Sequence, residues 1–191
     1  MLGDFDALRV NYNKIKALTQ STFLGKYKKC GRVNNHMQMK FMRLAIKEAL
    51  FGVKHNHGGP FGAVVVCKGK VIASAHNTVL KDKDATCHAE VNVIRKASKK
   101  LKKFDLKGCE IYATCEPCPM CFSAIHWANI KKIYYGASLA DSKKAGFNEL
   151  DISAKEMRRN GKSKVSLEEK VLCEECLVPF DEFKKKKGKR Y

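Results

Sequence analysis

CHAEVNVIRKASKK (87–100) and CEIYATCEPCPMCFSAIHWAN (109–129) decide how this chain folds. The second stretch opens on β-branched and aromatic residues, a strand over 109–115, and is broken at Pro117-Cys118-Pro119. A helix is expected from about Cys118 to Ala128, and another from about His88 to Lys103. Working outward, KKIYYGA (131–137) reads as a further strand. Upstream, AVVVCK (63–68) and VIASAHN (71–77) flank Lys68-Gly69-Lys70 and read as a hairpin. Before it, Met37, Phe41, Leu44, Ala45 and Ala49 recur between Lys40, Arg43 and Lys47, a helical period that ends near Gly52 and runs into the loop HNHGGP (55–60). A helix, a hairpin and then βαβ units define an α/β sandwich, helices on a sheet. A polar region follows: a loop and helix around Asp141–Gly146, a flexible segment RRNGKSK, and a short C-terminal helix with a basic end. The expected organisation is an N-terminal extension (1–36), a central domain (37–150) and a C-terminal segment (151–191).

The 191 residues suffice for one domain, and a composition of 45% hydrophobic and 30% charged residues excludes a disordered or collagen-like chain. No apolar run approaches the ~18–20 residues of a membrane span. MLGDFDALRV carries acids where a signal peptide is basic, and no apolar core follows, which points to a cytoplasmic protein. The formal charge is +19, spread as +5, +10 and +4 over residues 1–39, 40–150 and 151–191. Only Lys184–Arg190 is a dense basic run, so a solvated basic surface is favoured over a nucleic-acid contact, which stays open. Nine cysteines in such a chain read as thiols and metal ligands. Cys173 and Cys176 are expected to be buried or free thiols.

His88-Ala89-Glu90 opens one helix and Pro117-Cys118-Pro119-Met120-Cys121 the next, each after a strand, so both helix N-termini should emerge at the carboxyl edge of the sheet. Cys118 and Cys121, three apart, face one way in a first helical turn, where the helix end favours thiolates. With His88 they make three ligands and leave a fourth position open, the pattern of a catalytic zinc site, one ion per chain. Glu90, beside the ligands, suits proton transfer to and from water on such an ion. Backbone N–H groups around Ala89 and Cys118 could orient an oxygen there. A ferredoxin-like cluster would need a fourth cysteine where Ile125 stands. A zinc ribbon using Cys173 and Cys176 would leave His88 and Glu90 without a role.

H-x-E followed by P-C-x-x-C is the signature of zinc nucleobase deaminases, and the chain resembles the cytidine-deaminase-like family. Within it, GGPFGAVVV (58–66), AHNTVL (75–80), CHAEVNVIRKA (87–97), residues 109–137 and DSKKAGFNE (141–149) are similar to the guanine and guanosine deaminase branch. The resemblance implies an α/β/α sandwich with a mixed central sheet flanked by helices. It implies hydrolytic deamination of a small purine, guanine to xanthine and ammonia, with Glu90 as proton shuttle. It also implies that Asn77 hydrogen-bonds substrate, Asp141 holds a purine edge, and Phe61 and Trp127 stack on the ring. Trp127, taking space a ribose would need, favours the free base over guanosine. The tail to Tyr191 is expected to close over an active site, its own or that of a partner in a domain-swapped homodimer. Deamination of a base in tRNA or DNA, which the charge favours, and a non-catalytic zinc-dependent RNA-binding module are the rival expectations.

Overall fold

The computed structural model of the chain describes residues 36–190. The expected extension over 1–36 lies outside the described residues apart from His36, as does Tyr191. The first described helix, α1 (His36–Lys54), turns Phe41, Met42, Ala45, Ile46, Ala49 and Val53 inward. A hairpin follows, β1 (Gly62–Cys67) and β2 (Lys70–His76). Its two-residue link has φ +48° at Lys68 and +72° at Gly69, the doubly positive geometry that matches the twist of paired strands. After a single helical turn, α2 (Val79–Asp82), come α3 (Ala89–Leu101), β3 (Cys109–Cys115), α4 (Pro119–Trp127) and β4 (Lys132–Ala137). The chain continues through α5 (Leu139–Lys144), α6 (Ala154–Asn160), β5 (Ser166–Glu168) and α7 (Cys173–Lys185).

The sheet order is β2-β1-β3-β4-β5. β1 is antiparallel to both neighbours, while β3, β4 and β5 run parallel. Four strands therefore share one direction, and the carboxyl ends of β2, β3 and β4 lie on one edge.

Strand alternation builds two cores. Ala63, Val65, Ile111, Ile133 and Tyr135 face Val93 and Ala97 of α3, Phe122 and Ile125 of α4 and Ala154 of α6. Val64, Val66, Tyr112 and Tyr134 face α1 and the Cys176, Phe180 and Phe183 side of α7. Tyr112 and Tyr134, neighbours on adjacent strands, stack with centroids 4.3 Å apart. The result is the three-layer α/β/α sandwich with a mixed sheet that was expected. Two glycines let the second layer close on the sheet: a Cβ on Gly62 would overlap the Ala45 carbonyl of α1, and one on Gly136 would overlap Cys176 Sγ of α7. Arg43 of α1 clamps Glu175 of α7 with two bonds of 2.9 Å.

The polar C-terminal region departs from the expectation of a flexible segment. Ser153 and Glu156 cap α6 reciprocally, and Ala154 anchors it to the core. β5 adds three residues to the sheet edge, held by Lys132 on Glu168 at 3.0 Å. Cys176 is a buried thiol as expected, but Cys173 is disulfide-bonded, a correction to its reading as a free thiol. No helix among the described residues is long and apolar enough to cross a membrane.

Candidate metal centre and active site

Two helix N-termini meet at the carboxyl edge of the sheet. β3 ends at Cys115, and Cys118 is the extended N-cap of α4 (φ −63°, ψ 168°), with Pro119 in the first helical position, where its missing N–H costs nothing. His88 is the extended N-cap of α3 (φ −68°, ψ 156°). The segment after β2 is tied to it: Thr78 N–H donates to the Cys87 carbonyl (2.9 Å), and Asn92 Nδ2 reaches the carbonyls of His76 and Cys87. Glu116 holds the other side, its two oxygens accepting from Leu139 N–H (3.1 Å) and Ala154 N–H (2.9 Å), the first residues of α5 and α6.

These anchors bring His88, Cys118 and Cys121 together, with ligand atoms all within 4.8 Å of one another. His88 Nδ1 stands 3.7 Å from Cys118 Sγ and 3.5 Å from Cys121 Sγ. Tetrahedral zinc with ordinary Zn–N and Zn–S bonds needs an N···S separation of about 3.6 Å, so the donor set and its spacing fit this ion. Cys118 is held as a thiolate, its pKa lowered to about 4 by the hydrogen bond from Cys121 and then by His88, against the pull of burial. Cys121 keeps the proton, its pKa pushed well up by Cys118 and by burial. A metal ion would displace that proton. Glu90, in the first turn of α3, is buried, with Oε2 3.5 Å from Cys121 Sγ. Burial, and then the Cys118 charge, raise its pKa to about 7, where a carboxyl both accepts and donates a proton at neutral pH.

Of the residues expected to bind substrate, Asn77 sits directly after β2, buried, its Oδ1 accepting from Gly59 N–H (3.2 Å) and Val79 N–H (3.1 Å). Ala89 is the buried first residue of α3. Phe61 packs edge-on against Phe147 (5.0 Å) and Phe180 (5.5 Å). Trp127 is not brought to the centre. It closes α4 nine residues past Cys118, about 13 Å along the axis at 1.5 Å per residue, and is 78% exposed. Asp141 is spent locally: its Oδ2 accepts from the N–H (2.9 Å) and the hydroxyl (2.6 Å) of Ser138 in the capping box of α5. Of the two acids that follow β4, the one that acts electrostatically on both His88 and Cys118, as Glu90 also does, is Glu149. Burial, and then the Cys118 charge, raise its pKa although Ser142 Oγ donates to it at 2.8 Å. Glu149 was not among the residues expected near the site. The signal was Ser138-x-x-Asp141, a capping-box spacing that commits Asp141 to its own helix.

A histidine relay that local patterning did not announce frames Asn77. Ser74 Oγ donates to Glu48 Oε1 (2.6 Å), and His76 Nδ1 lies 3.0 Å from Glu48 Oε2. With Glu48 ionised, His76 Nδ1 is the donor to it, and His76 Nε2 lies 2.9 Å from His57 Nδ1. His57 thereby pins the Gly58-Gly59 turn against Asn77; a Cβ on Gly58 would overlap Asn77 Oδ1. The tail returns to the same region of its own chain. Lys186 Nζ donates to the carbonyls of Val53 (3.0 Å) and Lys54 (2.8 Å) and to Asn56 Oδ1, and Arg190 packs over Gly146.

Helix N-termini carrying one imidazole and two thiols, with a buried carboxyl at their side, form a site able to hold one metal ion beside a group able to exchange a proton. The chain belongs to the cytidine and deoxycytidylate deaminase zinc-binding family, whose profile matches residues 35–137, and this makes the reaction a hydrolytic deamination. It is 42% identical over 140 residues to the guanine deaminase of Bacillus subtilis, covering 73% of this chain and 89% of that protein. A tRNA-specific adenosine deaminase of Buchnera aphidicola is 32% identical over 148 residues, covering 77% and 93% respectively. The solved structure of the B. subtilis guanine deaminase superposes with a TM-score of 0.58 at 46% identity, over 60% of this chain and 72% of that one.

Proposed function

We propose that the protein hydrolyses guanine to xanthine and ammonia in a zinc-dependent reaction. The observation that carries the reading is the likeness to the B. subtilis guanine deaminase, which extends over 89% of that protein. His88, Cys118 and Cys121 would hold the zinc ion, which when bound would lower the pKa of water toward ~7 and so supply a nucleophile at neutral pH. Glu90 takes the proton of the attacking water and delivers it to the ring nitrogen beside the amino-bearing carbon, C2. It then takes the second proton, from the hydroxyl now bonded to C2, and passes it to the amine; the C2–N bond breaks, the C2 carbonyl forms, and ammonia leaves. Asn77, with its oxygen engaged by Gly59 and Val79, would address the purine through its amide nitrogen. Glu149, rather than Asp141, would accept ring N–H groups. Ala89 N–H would orient the attacking oxygen, and Phe61 would wall the ring. The C-terminal segment would shield the site from water, with Tyr191 at its end. A cytoplasmic homodimer is part of this reading.

A tRNA base is the second candidate, favoured by the Buchnera relative and the +19 charge. Purified protein is offered guanine, guanosine, adenosine, cytosine and a tRNA pool, and ammonia is measured. Guanine turnover that falls ~10²–10⁴-fold in zinc-loaded Glu90→Gln supports the proposal. Turnover of tRNA with none of guanine replaces it by the second candidate.

A further inference from the structure

At the opposite edge of the sheet from the metal centre, the last residue of β1 and the first of β3 are both cysteines, and the ladder places them face to face as Cys67↔Cys109. Their backbones do not bond to each other. Cys67 pairs with Lys70 across the two-residue turn, so its N–H and C=O point toward β2. Cys109 N–H goes to the Leu106 carbonyl (2.9 Å), and its own carbonyl accepts from Lys131 N–H (3.0 Å), on the β4 side. Opposed residues of this non-bonded kind bring their Cα atoms to about 4.5 Å, within the span a disulfide bridges. Cys109 lies in the core between the sheet and α3 and α4, and Cys67 packs against that same core.

We propose that Cys67 and Cys109 are a redox modification site that closes to a cross-strand disulfide when a hydroperoxide oxidises Cys67. Cys67 is the half-buried member and meets the oxidant first; Cys109 is fully buried beneath it. In the first step the Cys67 thiolate attacks the peroxide, the O–O bond breaks, and a sulfenic acid forms with release of hydroxide, which is neutralised to water. Cys109 sulfur then attacks Cys67 sulfur. The S–O bond breaks, and the Cys109 proton leaves with the hydroxyl as water. Two thiols and one hydrogen peroxide give one disulfide and two waters. Burial, and then the neighbouring Cys67 thiol, push Cys109 up to about 11, so Cys67 rather than Cys109 is the first to react.

The bond would encircle residues 68–108, the segment that carries β2, Asn77, His88 and Glu90. Closing that loop restricts the unfolded chain and so braces half of the metal centre from a distance. Cys109 and Cys115 open and close β3; six residues at ~3.3 Å put the end of the strand that leads into Cys118 about 20 Å from the pair, beyond exchange.

The test treats the zinc-loaded full chain with one equivalent of hydrogen peroxide. Expected are a mass loss of two hydrogens, a cross-link joining the Cys67 peptide to the peptide beginning at Gly108, and a melting temperature raised by about 5–10 °C. Dithiothreitol should reverse all three. Cys67→Ser, a change at the half-buried position, and Cys109→Ser should each melt like the reduced parent and lose both the cross-link and the rise. Oxidation of Cys67 without the cross-link, or loss of zinc and oxidation of Cys118 and Cys121 ahead of the pair, would overturn the proposal.

Discussion

Asn77 separates a scaffold role from a substrate role. It is 1% exposed, and its Oδ1 is an acceptor for two buried donors, the N–H groups of Gly59 and Val79. Asn77→Ala strands both. Each unsatisfied buried donor costs about 1–3 kcal/mol, and the loop at Gly58-Gly59 can relax or admit water to recover part of that, which leaves a loss of about 2–4 kcal/mol. In a domain of this size each kcal/mol is worth about 2–4 °C, so the melting temperature should fall by roughly 5–15 °C. Asn77→Asp keeps an acceptor for both donors and removes only the amide N–H2. Its melting temperature should lie between those of the parent and the alanine variant. Its KM for guanine should rise about tenfold or more if the amide nitrogen donates to substrate. Thermal melts of the zinc-loaded proteins and initial rates of ammonia release give both quantities. An alanine variant that melts within a degree of the parent, or an aspartate variant less stable than alanine, would refute the reasoning.

The metal should be structural as well as chemical. Cys118→Ala removes one of three ligands, so the purified protein should lose most of its zinc by metal analysis and melt earlier. Acid should loosen the histidine relay. Burial, then the charges of His76, Lys81 and His55, hold His57 below its ordinary 6.5, with Asp82 opposing. Burial pulls Glu48 up, but hydrogen bonds from His76 and Ser74 and the charges of His76 and Lys96 outweigh it and hold the carboxyl below 4.5. In both groups the unfolded chain binds the proton more tightly. The stability they contribute is therefore complete above pH ~6.5 and falls as pH drops through their folded values. His57→Gln should flatten the part of the stability loss that begins below pH 6.5, read from urea melts across pH 4–8. At the second layer, Gly136→Ala drives a methyl into Cys176 and should cost about 1–3 kcal/mol, with partial recovery in Gly136→Ala/Cys176→Ala.

Sequence patterns exposed what local physics encodes. Val64 and Val66 against Ala63 and Val65 alternate because opposite faces of β1 meet different helices. The metal ligands were legible because each stands at or beside a helix N-terminus that its own neighbours announce, Pro119 above all. RRNGKSK (158–164) was read as flexible because it is polar, although its first three residues close α6, whose Ser153 and Glu156 carry a capping-box spacing, and β5 was not anticipated.

The substrate side of the site was less legible, since it depends on which carboxylates are already engaged. Asp141 and Glu149 are both acids after β4, and composition alone cannot rank them. The ranking comes from Ser138, which engages Asp141, and from the fold-back at Gly146 (φ +91°) that turns the chain before Glu149. Trp127 fails on helix arithmetic, two and a half turns below the end that carries Cys118. The Glu48–His76–His57 relay joins a helix, a strand and a loop through contacts 28 and 19 residues apart in the chain, a separation at which no periodicity survives. A site of this kind is therefore half local and half tertiary. Its metal-binding residues and Glu90 sit where two helices begin, whereas Asn77 and Glu149, to which the proposed function assigns substrate contacts, are placed by long-range hydrogen bonds and by which neighbouring polar groups are occupied.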